Sequence, residues 1–293
     1  MSPLSAPRAV VVAYHPALPR AGEVAAALVR QAEAAGVPAT LDALADPSQQ
    51  DGDGFLSHLN GSGLLVCVGG DGTMLHASAY AAQAGVPVFG VRMGRLGFLT
   101  ESVEDRVAAD FARVLAGDAR LERRSMVQAQ VGESPALHAL NDVVIGRATL
   151  GRTISVEARI DGVLLAEYRA DAIVVATATG STGYALSVGG PILHPSSDEM
   201  ILVPVAPHLT RANALVLPGG ARLRLSVERG YEAMLGVDGL HHRPVDSGSV
   251  VEITRSPRTV DFVRLGDETE FYQNLAVRLG WLRLDHVMDE PAT

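Results

Sequence analysis

The chain has 293 residues, 47% of them hydrophobic and 19% charged, enough apolar content for a sizeable core and too much for a disordered chain. Its formal net charge of −9 argues against a general nucleic-acid binder, whose footprint is usually basic. All 24 basic residues are arginine, which excludes a phosphate-loop lysine of the G-x-x-x-x-G-K-[ST] type and any Schiff-base lysine.

In chain order, residues 9–13 read as a strand and residues 22–35 as an Ala-rich helix closed by Gly36. Residues 38–44 read as extended, 55–59 as a short helix, and 64–68 as an apolar strand ending at Gly69-Gly70. A helix near 74–84, a strand over 86–91 and a helix over 103–116 complete a strand–helix alternation. Such alternation favours right-handed crossovers and a mainly parallel sheet. Beyond Leu121 the rhythm changes to short strands over 127–131, 139–145, 153–160, 163–168, 172–176, 200–205, 215–217, 222–228 and 250–254. Asp161-Gly162 is a turn signal between two of them. Residues 269–284 again read as helix and hold the only tryptophan, Trp281. The expectation is a Rossmann-like α/β domain over residues 1–122, joined by 265–293, and a β-rich, sandwich-like domain over 123–264. The cleft between them is the default ligand site.

The single Cys67, flanked by Leu65, Val66 and Val68, reads as a buried strand thiol rather than a nucleophile. No apolar run approaches the roughly 18 residues of a membrane span. The N-terminus lacks the charged-then-apolar order of a secretion signal, so a soluble, cytoplasmic protein with no nucleic-acid or membrane partner is expected.

Three strings carry chemistry. Gly69-Gly70-Asp71-Gly72-Thr73 lies between an apolar strand and a helix. Adjacent glycines let backbone approach a ligand, and a helix starting near Thr73 aims free N–H groups at an anion. Asp71 itself repels phosphate; it reads as a general base, a metal-side carboxylate, a hydroxyl acceptor or simply a helix cap. Asn141-Asp142 interrupts an apolar run, either to offer donors and acceptors to a ligand or to satisfy a local bulge. The stretch from Thr177 to Ser187, followed by Gly189-Gly190-Pro191, is dense in hydroxyls and glycines. It suits phosphate or ribose without lysine, although such residues also make ordinary turns. Arg169 and Asp171 share a strand face by period two, as a salt bridge or as ligand contacts. His241-His242 point to opposite strand faces and make a poor zinc site.

Taken in order with Gly94-Arg95-Leu96-Gly97-Phe98-Leu99 and Val237-Asp238-Gly239, these strings resemble the NAD kinase family over nearly the whole chain. The resemblance implies transfer of phosphate from ATP or inorganic polyphosphate to the 2′-hydroxyl of the adenosine ribose of NAD, with Mg²⁺ assisting. It implies Asp71 as proton acceptor and Gly69, Gly70 and Thr73 as phosphate loop. Gly72, His76, Phe98, Asn141, Asp142, Arg152, Arg169, Asp171, Thr182, Gly183, Tyr184, Ser187 and Asp238 are the implied substrate contacts. A homodimer or homotetramer is implied as well. The chain departs from the family pattern at Arg92 (commonly Asn), Ala178 (Pro), Gly183 (Ala) and Leu240 (often Gln). Gly-Gly-Asp-Gly-Thr is shared with lipid kinases, so a lipid or small-alcohol kinase is one alternative. Arg92 and Leu240 keep a second open, a catalytically weak nucleotide-binding regulator.

Overall fold

The computed structural model describes residues 2–44, 52–94, 97–149, 151–208 and 213–281. Arg95, Leu96, Leu209 and the last three residues of the helix expected over 269–284 lie outside them.

The N-terminal part is built on parallel strands in the order Ala39–Ala43, Val10–Tyr14, Leu64–Gly69, Val88–Arg92. The last three are almost wholly buried runs, as a sheet covered on both faces requires. Alternation sends their side chains to two cores. Val10, Val12, Val66 and Val91 meet Ala25, Leu28 and Phe111 from helices Pro19–Ala34 and Val107–Leu115. Val11, Ala13, Leu65 and Cys67 meet Met74, Ala77 and Phe55 from helices Asp71–Ala84 and Gly52–Leu59. Cys67 is fully buried, and burial pushes its thiol up to about 12, so it is inert.

The sheet does not stop at the end of the α/β part. Val250–Arg264 pairs in parallel with Val88–Arg92 and antiparallel with Arg120–Val131, then continues into the β-rich part through Leu223–Val227, Ile154–Ile160 and Val163–Ala170. A second, six-stranded antiparallel sheet has the order Leu215–Leu217, Met200–Val205, Ala172–Ala176, Asp142–Arg147, Ala233–Val237, His241–Val245. Alternate residues of the two sheets, among them Val143, Ile145, Val175, Ile154, Leu225 and Ile253, form the shared core. On the other face of the second sheet, Val174, Ala176 and Ile201 are covered by Ala185, Val188 and Leu193, which seats the hydroxyl-rich loop there.

Several expectations need correction. The helix expected near residue 74 begins at Asp71, because Gly70 in extended conformation is its N-cap. The helix expected from residue 103 begins at Val107, and Ser102–Val103 pairs with the edge of the parallel sheet instead. The strand read over 139–145 is two strands, Leu137–Ala139 and Asp142–Arg147, since the backbone N–H groups between them turn to the Asp238 carboxylate. The strand read as 250–254 runs to Arg264, with a register shift between Arg255 and Thr259. Strand Ala233–Val237 was not anticipated, whereas His241-His242 do lie on a strand, His241–Val245.

Candidate functional site

Asp71 is the first helical residue after strand Leu64–Gly69, at the carboxyl edge of the parallel sheet, where ligands of open α/β sheets bind. Its side chain does not cap the helix. Oδ2 accepts the Phe98 N–H at 2.7 Å and Oδ1 the Leu99 N–H at 3.3 Å, so the loop over 97–99 fixes the carboxylate from one side. Gly97 is required there, because a Cβ would fall 1.9 Å from Asp71 Oδ1. An ionised carboxylate has about four lone-pair sites, so two N–H groups leave acceptor capacity. Gly70 and Gly72 border open space, and the first N–H groups of the helix are the ones without intrahelical partners.

The second cluster forms at the break between Leu137–Ala139 and Asp142–Arg147. Asp238, at φ 53°, accepts backbone N–H groups from Leu140 (2.7 Å), Asn141 (2.7 Å) and Asp142 (3.0 Å). Burial raises its pKa to about 6, against the pull of those three donors. Burial, with the Asp238 charge adding to it, raises Asp142 to about 7. Asn141 and Asp142 then line a pocket of about 390 Å³ with Tyr184, Gly236, Gly239 and His242. The hydroxyl loop is pressed onto the same turn. Thr177 N–H donates to the Asn141 carbonyl at 2.8 Å, and a Cβ on Gly180 would lie 2.0 Å from that oxygen. A Cβ on Gly183 would lie 3.3 Å from the Gly180 carbonyl oxygen and 3.9 Å from the Asn141 amide nitrogen.

A buried ionic network reaches the second cluster. Glu122 accepts from Arg124 Nε at 2.8 Å and Arg264 Nε at 3.1 Å, while Arg264 Nη1 also reaches Glu101 at 3.1 Å. Burial alone would raise the Glu122 carboxyl, but Arg124 and Arg264 hold it down at about 2. Both guanidiniums flank the Phe262 ring, 5.4 and 5.3 Å from its centroid. Arg124 Nη1 donates to Thr179 Oγ1 at 3.2 Å, linking the network to the loop on Asn141. Arg124 and Arg264 share a cavity of about 60 Å³ with Phe98 and Arg278.

The structure thus brings Asn141, Asp142, Tyr184 and Asp238 to one pocket, and Asp71 and Phe98 to the sheet edge. Thr182 donates to the Thr179 carbonyl at 3.3 Å, and Ser187 is exposed on the short helix Tyr184–Ser187. His76 is 7% exposed and packs on Tyr80. Thr73 is likewise buried in the first turn of its helix. Asp171 pairs with Arg147 at 2.8 Å, and Arg169 donates to Thr153 Oγ1 at 3.2 Å, so those two do not pair with each other. Arg152 is exposed and offers only its carbonyl to Arg147, at 3.3 Å. Sequence reasoning missed His242 as a pocket residue, and also Glu122, Arg124 and Arg278. The run Arg120-Leu121-Glu122-Arg123-Arg124 is charged at four of five positions and reads as a solvated face, so it gave no signal.

Similarity to known proteins shows the family. The family model described as ATP-NAD kinase N-terminal domain matches residues 25–119, and that described as ATP-NAD kinase C-terminal domain matches residues 140–265. An NAD kinase of Dehalococcoides mccartyi strain CBDB1 is 34% identical over 273 residues, covering 92% of this chain and 94% of the relative. One of Chloroflexus aurantiacus strain J-10-fl is 40% identical over 220 residues, covering 74% and 80%. The fold is shared with yeast NADH kinase complexed with NADH, at TM-score 0.82 and 23% identity, covering 97% of this chain and 91% of that one. An NAD kinase from Archaeoglobus fulgidus in complex with ATP superposes at TM-score 0.73 and 25% identity, covering 90% and 96%. With family models matched in both parts and relatives matched over most of their length, the chain belongs to the NAD kinase family and is a kinase.

Proposed function

We propose that the chain transfers the terminal phosphoryl group of ATP or inorganic polyphosphate to the 2′-hydroxyl of the adenosine ribose of NAD, giving NADP. The observation that carries this reading is the Asp71 carboxylate, held by Phe98 and Leu99 N–H groups beside an open helix N-terminus. The ribose oxygen attacks phosphorus as the bond to the leaving phosphate breaks, and Asp71 takes the hydroxyl proton. A carboxylate is a weak base toward an alcohol, so it orients the hydroxyl first and accepts the proton late, as the forming bond acidifies it. The N–H groups around Gly72 and Thr73 meet the charge on the phosphoryl oxygens without any lysine. Adenosine groups occupy the pocket of Asn141, Asp142 and Tyr184, with Gly183 and the Thr179–Arg124 link shaping its wall. In this division of labour residues 1–122, joined by 265–293, supply the base and phosphate loop, and residues 123–264 the dinucleotide pocket.

Among the described residues no three His, Cys, Asp or Glu side chains converge as a metal cage. Mg²⁺ would be held mainly by the phosphate oxygens of the donor and by water, and would there supply charge neutralisation while Asp71 serves the hydroxyl. A homodimer or homotetramer is supported by the exposed apolar run Val163-Leu164-Leu165 on the edge strand Val163–Ala170. No described helix is long and apolar enough to cross a membrane.

The test is NADP formation from NAD, Mg²⁺ and either donor, read by an NADP-specific dehydrogenase, with Asp71→Asn alongside. Product from the wild type, and at least about 100-fold less from a variant that still binds NAD, is expected. Unchanged turnover in Asp71→Asn removes Asp71 from the role.

A further inference from the structure

Helix Glu270–Arg278 ends in a cation that the reaction above leaves without a task. The Arg278 guanidinium lies over the Phe98 ring, 3.7 Å from its centroid. Its Nε and Nη1 are buried and find no hydrogen-bond acceptor among the described residues. Asp71, Arg92 and Arg264 are its electrostatic neighbours. Arg264 is already neutralised by Glu101 and Glu122. Arg92 is not: it stands at the end of Val88–Arg92, in register with Gly69, and makes no ion pair among the described residues. No ion pair joins Arg278 to Asp71 either, so the buried Nε and Nη1 of Arg278 stay without an acceptor among the described residues, with the Arg92 charge nearby.

Burying unsatisfied donors and setting like charges together both cost stability, and a polyanion entering between them reverses both costs. The planar fork of a guanidinium matches two phosphate oxygens, and stacking on an aromatic ring fixes its plane. Neither arginine lines the pocket of Asn141 and Asp142, which separates them from the adenosine end of the dinucleotide. Resting on the kinase reading, we propose that Arg278, stacked on Phe98 and opposed by Arg92, grips the phosphate chain of the donor beside Asp71.

The probes are inorganic tripolyphosphate and ATP, titrated calorimetrically into the full chain, wild type and Arg278→Gln, with NAD titrated separately. Glutamine keeps much of the stem and a planar amide over Phe98; Arg278→Lys keeps the charge and loses the fork. The glutamine variant should bind tripolyphosphate and ATP about tenfold or more weakly, and lysine should fall between, while NAD affinity stays within about twofold. In turnover, the donor KM should rise by the same factor and the NAD KM should hold. Unchanged tripolyphosphate binding in Arg278→Gln overturns the proposal, as does failure of the wild type to bind either donor. Equal loss of NAD and donor affinity also overturns it, because Arg278 would then only be anchoring the helix or holding the dinucleotide's own phosphates. If the wild type binds tripolyphosphate but forms no NADP, the kinase reading fails, and the binding comparison still decides the role of Arg278.

Discussion

Asp142 is 8% exposed, and burial, with Asp238 alongside, raises its pKa from 3.8 to about 7. The sign follows from which state holds the proton. Between pH 4 and 7 the folded chain keeps a proton that the unfolded chain has released, so stability falls as pH rises through that window. At roughly 1.4 kcal/mol per pKa unit the full cost is about 4 kcal/mol, complete above pH 7, of which about 3 kcal/mol accrues above pH 5. Asp142→Asn has nearly the same shape and no charge to bury. Its unfolding free energy relative to wild type should therefore be more favourable at pH 8 than at pH 5 by about 3 kcal/mol. Urea denaturation at the two pH values measures this, and any fixed hydrogen-bonding loss from the amide cancels in the difference. The same variant should bind NAD more weakly, since stability and a charged binding group are in opposition here. A stability difference between variant and wild type that does not change with pH would refute the argument.

Asp238→Asn aims an amide N–H₂ at one of the three backbone donors that the carboxylate now accepts, so it should cost about 1–3 kcal/mol in urea denaturation and raise the NAD KM. Gly97→Ala puts a methyl group where Asp71 Oδ1 lies; kcat should fall while NAD binding, read by calorimetry, stays close to wild type. Glu122→Gln leaves Arg124 and Arg264 without their shared carboxylate and should destabilise the fold by about 3–5 kcal/mol. In the wild type, the depressed Glu122 pKa contributes stability that is present above pH 4.5 and lost as pH falls toward 2. Acid unfolding should therefore begin at higher pH in Glu122→Gln.

Much of the α/β part was legible because its signal is local. Runs such as Leu64–Gly69 are apolar at every position since both sheet faces are covered, and the Asp161-Gly162 turn takes φ of 49° and 84° as its residue types favour. The ordered motif strings were legible too, and with them the family. Signals weakened where tertiary pairing overrides local pattern. Val250–Arg264 contains Ser256 and Pro257, which read as a stop, yet the irregular register opposite Arg120–Val131 carries the strand through them. The apolar run around Asn141 reads as one strand until Asp238, remote in sequence, gathers its N–H groups and splits it. The sequence by itself determined the burial periodicities, the loop chemistry and the exclusion of lysine, because each depends on residue type within a few positions. Only the tertiary structure decided that Phe98 faces Arg278, that Arg124 reaches Thr179 and that Glu122 is shared by two arginines. Polar and charged partners are chosen by folding across the chain, and a sequence carries no periodicity that names them.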